Sequence, residues 1–180
     1  MVRFFSLVVV FLLCASLSFV ASDKIVDVDT ICKDAGDPKF CSTLIKSKPG
    51  AERDLVSLAS YTLDVAHRNA SNILKRIKKL MAQSGSNRNQ VFLYKRCLHY
   101  FGSNEGVLYV IGQVRQLLKS KDYFDVRSYG SSIIAYVEYC VSGEDPTEVV
   151  HFDVPSFPKY ARVVEKVVDA LILISIYLQK

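Results

Sequence analysis

The spacing of its cysteines constrains this chain more than any other feature. Cys32 and Cys41 lie close together, Cys97 and Cys140 lie far apart, and the distant pair falls in segments of helical periodicity. A fifth, Cys14, sits in an apolar run over residues 4–20, preceded by Arg3 and followed by Ala21 and Ser22. One positive charge, a hydrophobic stretch and small residues mark residues 1–22 as a signal peptide, with cleavage expected after Ala21 or Ser22. The run is marginal in length for a bilayer span and is interrupted by Ser6, Ser16 and Ser18. Cleavage removes Cys14 and Arg3, leaving an even set of cysteines and one positive charge fewer than the +5 of the whole chain. An even set in an exported chain implies disulfides, and cysteines locked in disulfides are neither nucleophiles nor metal ligands. Residues 23–180 then make one domain large enough for a real core. Export argues against a nucleic-acid partner, and the mild positive charge suits an acidic surface or polyanion.

Strand signals are few, and apolar residues recur at intervals of three and four, the helix period, so the expected class is all-α. Residues 24–47 read as a helical hairpin bent between Cys32 and Cys41. Ile25, Val28 and Ile31 form its first stripe; Asp37-Pro38 restarts the chain as a helix with Phe40, Leu44 and Ile45 on its apolar face. Lys48-Pro49-Gly50 ends the hairpin, and 51–180 form a bundle. Its first helix, 51–83, carries a stripe through Leu55, Leu58, Thr62, Val65, Asn69, Ile73, Ile77 and Leu80. A loop at 84–87 leads to a helix over 90–119 and another over 125–140. A long connection containing Pro146, Pro155 and Pro158 precedes the last helix, 159–178. The very apolar stretch 167–178 includes Asp169 and is too short to span a bilayer, so it reads as a helix buried on most sides. The expected architecture is an up-and-down four-helix bundle, with the hairpin lying across or projecting from one end.

Four cysteines allow three pairings. Cys32–Cys41 closes a small loop around the hairpin bend, and antiparallel helices bring Cys97 toward Cys140. From a turn near Asp122, however, Cys97 lies further back than Cys140 lies ahead, a mismatch of roughly 10 Å at 1.5 Å per residue. An asymmetric turn or a broken helix must absorb it. Gly102-Ser103-Asn104-Glu105-Gly106 is the candidate break, because glycine weakens a helix.

Catalytic and metal signatures do not emerge. His67, His99 and His151 have no second histidine at ligand spacing, and neither a nucleophile elbow nor a phosphate-cradling glycine loop occurs. Asp122 and Asp125 read as helix-cap residues rather than an acid–base pair. No cofactor and no metal are expected. Lys75, Arg76, Lys78 and Lys79 form a cationic patch, which is either a solvated helix face or a dock for an acidic polymer such as a polyuronate. Asn69-Ala70-Ser71 is an N-glycosylation sequon, although Asn69 falls on the apolar stripe.

These residues resemble a known family. Ile31-Cys32-Lys33-Asp34-Ala35-Gly36-Asp37-Pro38-Lys39-Phe40-Cys41 is similar to the opening motif of the plant invertase and pectin methylesterase inhibitors. Cys97 followed by Phe101 resembles their third cysteine and its aromatic. Lys119-Ser120-Lys121-Asp122-Tyr123 resembles the turn before their fourth bundle helix, and Cys140 with Glu144-Asp145 resembles their fourth cysteine. The resemblance implies a bundle plus hairpin with disulfides paired first to second and third to fourth. It implies a secreted inhibitor, without catalysis of its own, of a carbohydrate-active enzyme in the cell wall or vacuole. Invertase inhibitors of the family carry Pro-Lys-Phe at the turn. Here that turn reads Asp122-Tyr123-Phe124, while Pro38-Lys39-Phe40 lies between the first two cysteines. The turn therefore looks more like that of the pectin methylesterase inhibitors, and Asp122, Tyr123 and Phe124 are the expected partner contacts, with acid invertase the alternative target. A reading of another class is a wall-polymer binding module using Lys75, Arg76, Lys78 and Lys79. The chain departs from the family in a longer stretch between Cys97 and Asp122, in Gly102-Ser103-Asn104, and in the interposed Val141-Ser142-Gly143.

Overall fold

The structure is a computed structural model that describes residues 27–50 and 54–180. The expected signal peptide, residues 1–22, lies outside the described residues, as do the start of the hairpin and residues 51–53. The described helices are α1 (Val28–Cys32), α2 (Pro38–Lys46), α3 (Leu55–Gln83), α4 (Arg88–Tyr100), α5 (Val107–Ser120), α6 (Tyr123–Ser142), α7 (Phe157–Ala161) and α8 (Val163–Leu178). They form an all-helical bundle in which α3 packs on α4, α5 and α8, and α6 packs on the other side of the same three. The corners of the bundle are α3, the α4–α5 pair, α6 and α8.

Side-chain caps set most of the helix starts. Asp54 accepts from the Ser57 amide at 2.8 Å, Asn87 from Gln90 at 3.3 Å and Asp122 from Asp125 at 3.2 Å. Each satisfies an amide that has no partner within its helix. In α3 the buried line passes through Ala59, Ala66 and Ala70 as well as Leu58, Ile73 and Ile77, while Val65 and Asn69 are only half-buried. The expected stripe is therefore rotated slightly. Alanines at those positions let the helices facing α3 approach closely, so the larger residues move to the edge of the contact.

One long helix over 90–119 was expected, and the structure divides it. Phe101 caps α4 and is fully buried, and 102–106 form a tight irregular connection before α5. A Cβ on Gly106 would lie 2.4 Å from the Tyr100 carbonyl oxygen and 2.6 Å from the Gly102 nitrogen, so only glycine fits that fold of the backbone. The break takes up the length mismatch between the two arms of the hairpin. Cys97 and Cys140 are joined with their Cα atoms 4.5 Å apart, and both are fully buried. The last helix is likewise divided, into α7 and α8, at Arg162. The Arg162 guanidinium ties the start of α8 to the end of α6, bonding both Glu138 and Ser142.

Helix α6 is shorter than α3, and the connection 143–156 fills the space above it. Glu144 accepts the Tyr100 hydroxyl, Glu148 pairs with Arg96 at 2.6 Å, and the His151 carbonyl accepts from Gln90 at 2.7 Å. Rising numbers on the connection meet falling numbers on α4, so the segment climbs along that helix as a strap. It ends in an aromatic cluster. Tyr94, Phe152 and Phe157 have ring centroids 4.9–5.6 Å apart, and the Tyr94 hydroxyl donates to Asp153 at 2.5 Å.

Two phenols thus hold the strap by donating hydrogen bonds to carboxylates. Burial and the Glu144 carboxylate push the Tyr100 phenol up to about 12, and burial with Asp153 pushes Tyr94 higher still. A raised folded value means that the stability contributed is complete below the ordinary tyrosine pKa near 10 and is lost as the pH rises through the folded value. Thermal melts should accordingly fall steeply from pH 10 to 12, and less steeply in Tyr100→Phe. Equal slopes in the two proteins would exclude the phenol as a source of the alkaline loss.

The hairpin lies along α8. The Gly36 amide donates to Asp169 at 2.9 Å, Lys166 pairs with Asp37 at 2.7 Å, and the Tyr177 hydroxyl donates to the Thr30 carbonyl at 3.0 Å. Cys32–Cys41 closes its bend, with Cα atoms 5.6 Å apart. Asp169, the one acid in the apolar stretch 167–178, is thereby accounted for as the anchor of the hairpin turn. The helix that carries it is enclosed by α3, α6 and the hairpin. No described helix is long and apolar enough to cross a membrane.

Candidate functional site

The turn between α5 and α6 is locally rigid. Lys121 ends α5 in the left-handed region, at φ 61°, the only described non-glycine residue with a positive φ. Its amide donates to the Leu118 carbonyl at 3.2 Å and that of Asp122 to Leu117 at 2.9 Å, the paired bonds of a Schellman C-cap. Asp122 then caps α6, as its sequence reading suggested. The next two residues point to different environments. Tyr123 is half-buried against the core, and its carbonyl accepts from the Gln179 side chain at 3.0 Å. Phe124 is 67 % exposed at the first turn of α6.

Beside this turn lies a groove of about 410 Å³ between the N-terminal part of α3 and the end of α5. Val56, Ser60 and Leu63 form one wall; Arg115, Lys119, Lys121 and Tyr123 form the other. Its mouth is cationic, apart from Asp64, which pairs with Arg115 at 2.8 Å. Val56 is 42 % exposed, an apolar residue turned away from the core. Sequence reasoning placed Lys121 in the turn but did not single out Val56 or Arg115. Val56 could have been found as an apolar position off the helix stripe, but no local signal places it beside a turn more than fifty residues later.

Pro38-Lys39-Phe40 is remote from this end. Asp37 caps α2 by accepting the Phe40 amide at 3.0 Å, Pro38 takes the first helical position, and Phe40 lies under Lys166 at 5.6 Å from its ring centroid. Lys166 precedes Gln179, which touches the turn, by about 20 Å along α8. The tripeptide is part of the hairpin's docking and not of the turn surface.

The cationic patch is split. Lys75, Lys78 and Lys79 are exposed, Arg76 is half-buried with its guanidinium 4.4 Å from the Tyr160 ring centroid, and Lys78 faces the break at 102–105. Asn69 is half-exposed beside Arg76 on the groove toward α7 and α8. Among the described residues His99 pairs with Glu105 on the surface, and no three metal-ligating side chains converge. Glu144 and Asp145 prove structural: the first holds Tyr100, and the second accepts from the Thr147 amide at 2.8 Å.

The bundle, stapled by two disulfides, presents a hydrogen-bonded turn beside a shallow groove. A family model described as plant invertase/pectin methylesterase inhibitor matches residues 26–173, and the chain belongs to that family of inhibitor proteins. It is 28 % identical over 132 residues to a pectinesterase inhibitor of Actinidia deliciosa, covering 72 % of this chain and 69 % of that one. Its fold is similar to the crystal structure of a mutant form of a pectin methylesterase inhibitor from Arabidopsis, with a TM-score of 0.68 at 20 % identity. That likeness covers 82 % of this chain and 94 % of the other. A second pectin methylesterase inhibitor structure, from Arabidopsis thaliana, aligns with a TM-score of 0.60, also at 20 % identity, covering 85 % and 96 % of the two chains.

Proposed function

We propose that this protein is exported to the apoplast and inhibits pectin methylesterase by one-to-one steric block of the substrate cleft, with the α5–α6 turn as a central contact. The observation that carries the reading is Phe124, a large apolar side chain 67 % exposed on a rigid turn. The turn is fixed before binding, so little conformational entropy is lost there on association. An exposed aromatic at a turn beside a groove with a cationic mouth is the kind of residue that dominates a protein interface of standard size, roughly 1,600 Å². The absence of Pro-Lys-Phe at this turn and the kinship with a pectinesterase inhibitor favour pectin methylesterase over acid invertase.

The test is a side-by-side inhibition assay against pectin methylesterase and acid invertase, using wild type and Phe124→Ala. Inhibition is expected for the esterase alone. Truncation should weaken it by about 30-fold, the equivalent of roughly 2 kcal/mol at an interface anchor. Because Phe124 is solvent-exposed, the melting temperature should not change. Inhibition of invertase instead, or an unaltered inhibition constant in the variant, would refute the target or the contact respectively. Amino-terminal sequencing of the secreted protein should begin at Ser22 or Asp23.

A further inference from the structure

The second groove of about 410 Å³ lies between the C-terminal half of α3 and the α7–α8 junction, separated from the α5–α6 turn by about 24 Å along α3. Ile73 and Val163 form its floor. Lys75, Arg76 and Lys79 stand along one side with the amides of Asn69 and Asn72, and Tyr160 stands opposite. Among the described residues none of these cations pairs with a carboxylate, and α3 carries no acid from Val65 to Gln83. No acid on this stretch of α3 offsets these charges.

We infer that this groove binds an acidic oligosaccharide, a chain of uronic-acid residues with free carboxylates. The Tyr160 ring is 47 % exposed and steadied by the Arg76 guanidinium. The ring face that Arg76 does not cover receives the apolar face of a pyranose ring. A planar guanidinium held in place offers paired donors to a carboxylate, and Lys75 and Lys79, one helical turn apart, offer charge to its neighbours along the chain. The asparagine amides donate and accept at once, matching sugar hydroxyls, which do the same. An acidic peptide would use the cations but would leave the aromatic face and the amides without a role. The geometry also couples the groove to the sequon: a glycan on Asn69 would lie in the ligand's place.

The probe is a homogeneous oligogalacturonate, compared by titration calorimetry with its fully methyl-esterified form and with polyglutamate of equal charge. Binding is expected for the free acid, weakening as salt is raised, and absent for the ester. Arg76→Gln and Tyr160→Ala should each reduce affinity about tenfold, and so should Lys79→Glu, whose exposed position leaves the fold intact. Lys95→Glu, on α4, should have no effect. Ser71→Ala, which deletes the sequon but keeps the amide, should bind more tightly than glycosylated protein. Equal binding of polyglutamate, binding unaffected by Tyr160→Ala, or no binding of the free acid at low salt would each overturn the inference. Inhibition of pectin methylesterase, measured on the same variants, should not change, so the groove and the turn stand or fall separately.

Discussion

Replacing Cys97 and Cys140 together by alanine should cost about 4 kcal/mol, and replacing Cys32 and Cys41 about 2.6 kcal/mol, from the loop lengths the two bridges close. The bridges span 43 and 9 residues of sequence. Cross-linking acts mainly on the unfolded chain, where a longer loop sacrifices more freedom. For a domain of this size the larger loss lowers the melting temperature by about 8–16 °C. The two pairs should also differ in where they act. Cys97–Cys140 joins α4 to α6 in the bundle core, so its loss should weaken the whole molecule. Cys32–Cys41 lies in the hairpin, so its loss should first raise hydrogen exchange in α1 and α2. Denaturant melts of the two double variants decide the matter, and an equal cost for both would contradict the loop-length account.

Phe157→Ala should cost about 3–5 kcal/mol, the range for emptying a large aromatic site in a packed core. Phe157 is fully buried, edge-on to Tyr94 and in contact with Phe152. It fills the end of the bundle that α6 is too short to reach, so neighbouring helices cannot close in without breaking the Asp153–Tyr94 bond at 2.5 Å. Proteolysis within residues 143–156 should accelerate along with the loss of global stability. A cost below about 1 kcal/mol would mean that the aromatic cluster is not part of the cooperative core.

Much of this was readable from local signals. The helix period marked the amphipathic segments, Asp37-Pro38 and Asp122 announced their caps, and paired glycines at 102 and 106 announced a break. Those signals act within a turn or two of chain, and the structure respects them. Errors came where distance in sequence replaced contact in space. The spacing of Asn69 fits the buried stripe, yet Ala70 is buried instead, since the position of the neighbouring helices determines which face closes. The strap along α4 left no periodic trace, because its contacts are single side chains reaching an element some fifty residues away.

By itself the sequence determined the class of fold and the position of the turn, since helix period, caps and glycine breaks are local properties of the backbone. Only the tertiary structure decided that Phe124 faces solvent while Tyr123 is held against the core. Only it placed Val56 beside Tyr123 and Tyr160 beside Arg76. Exposure and adjacency depend on how the helices pack, and that is settled by the whole core at once.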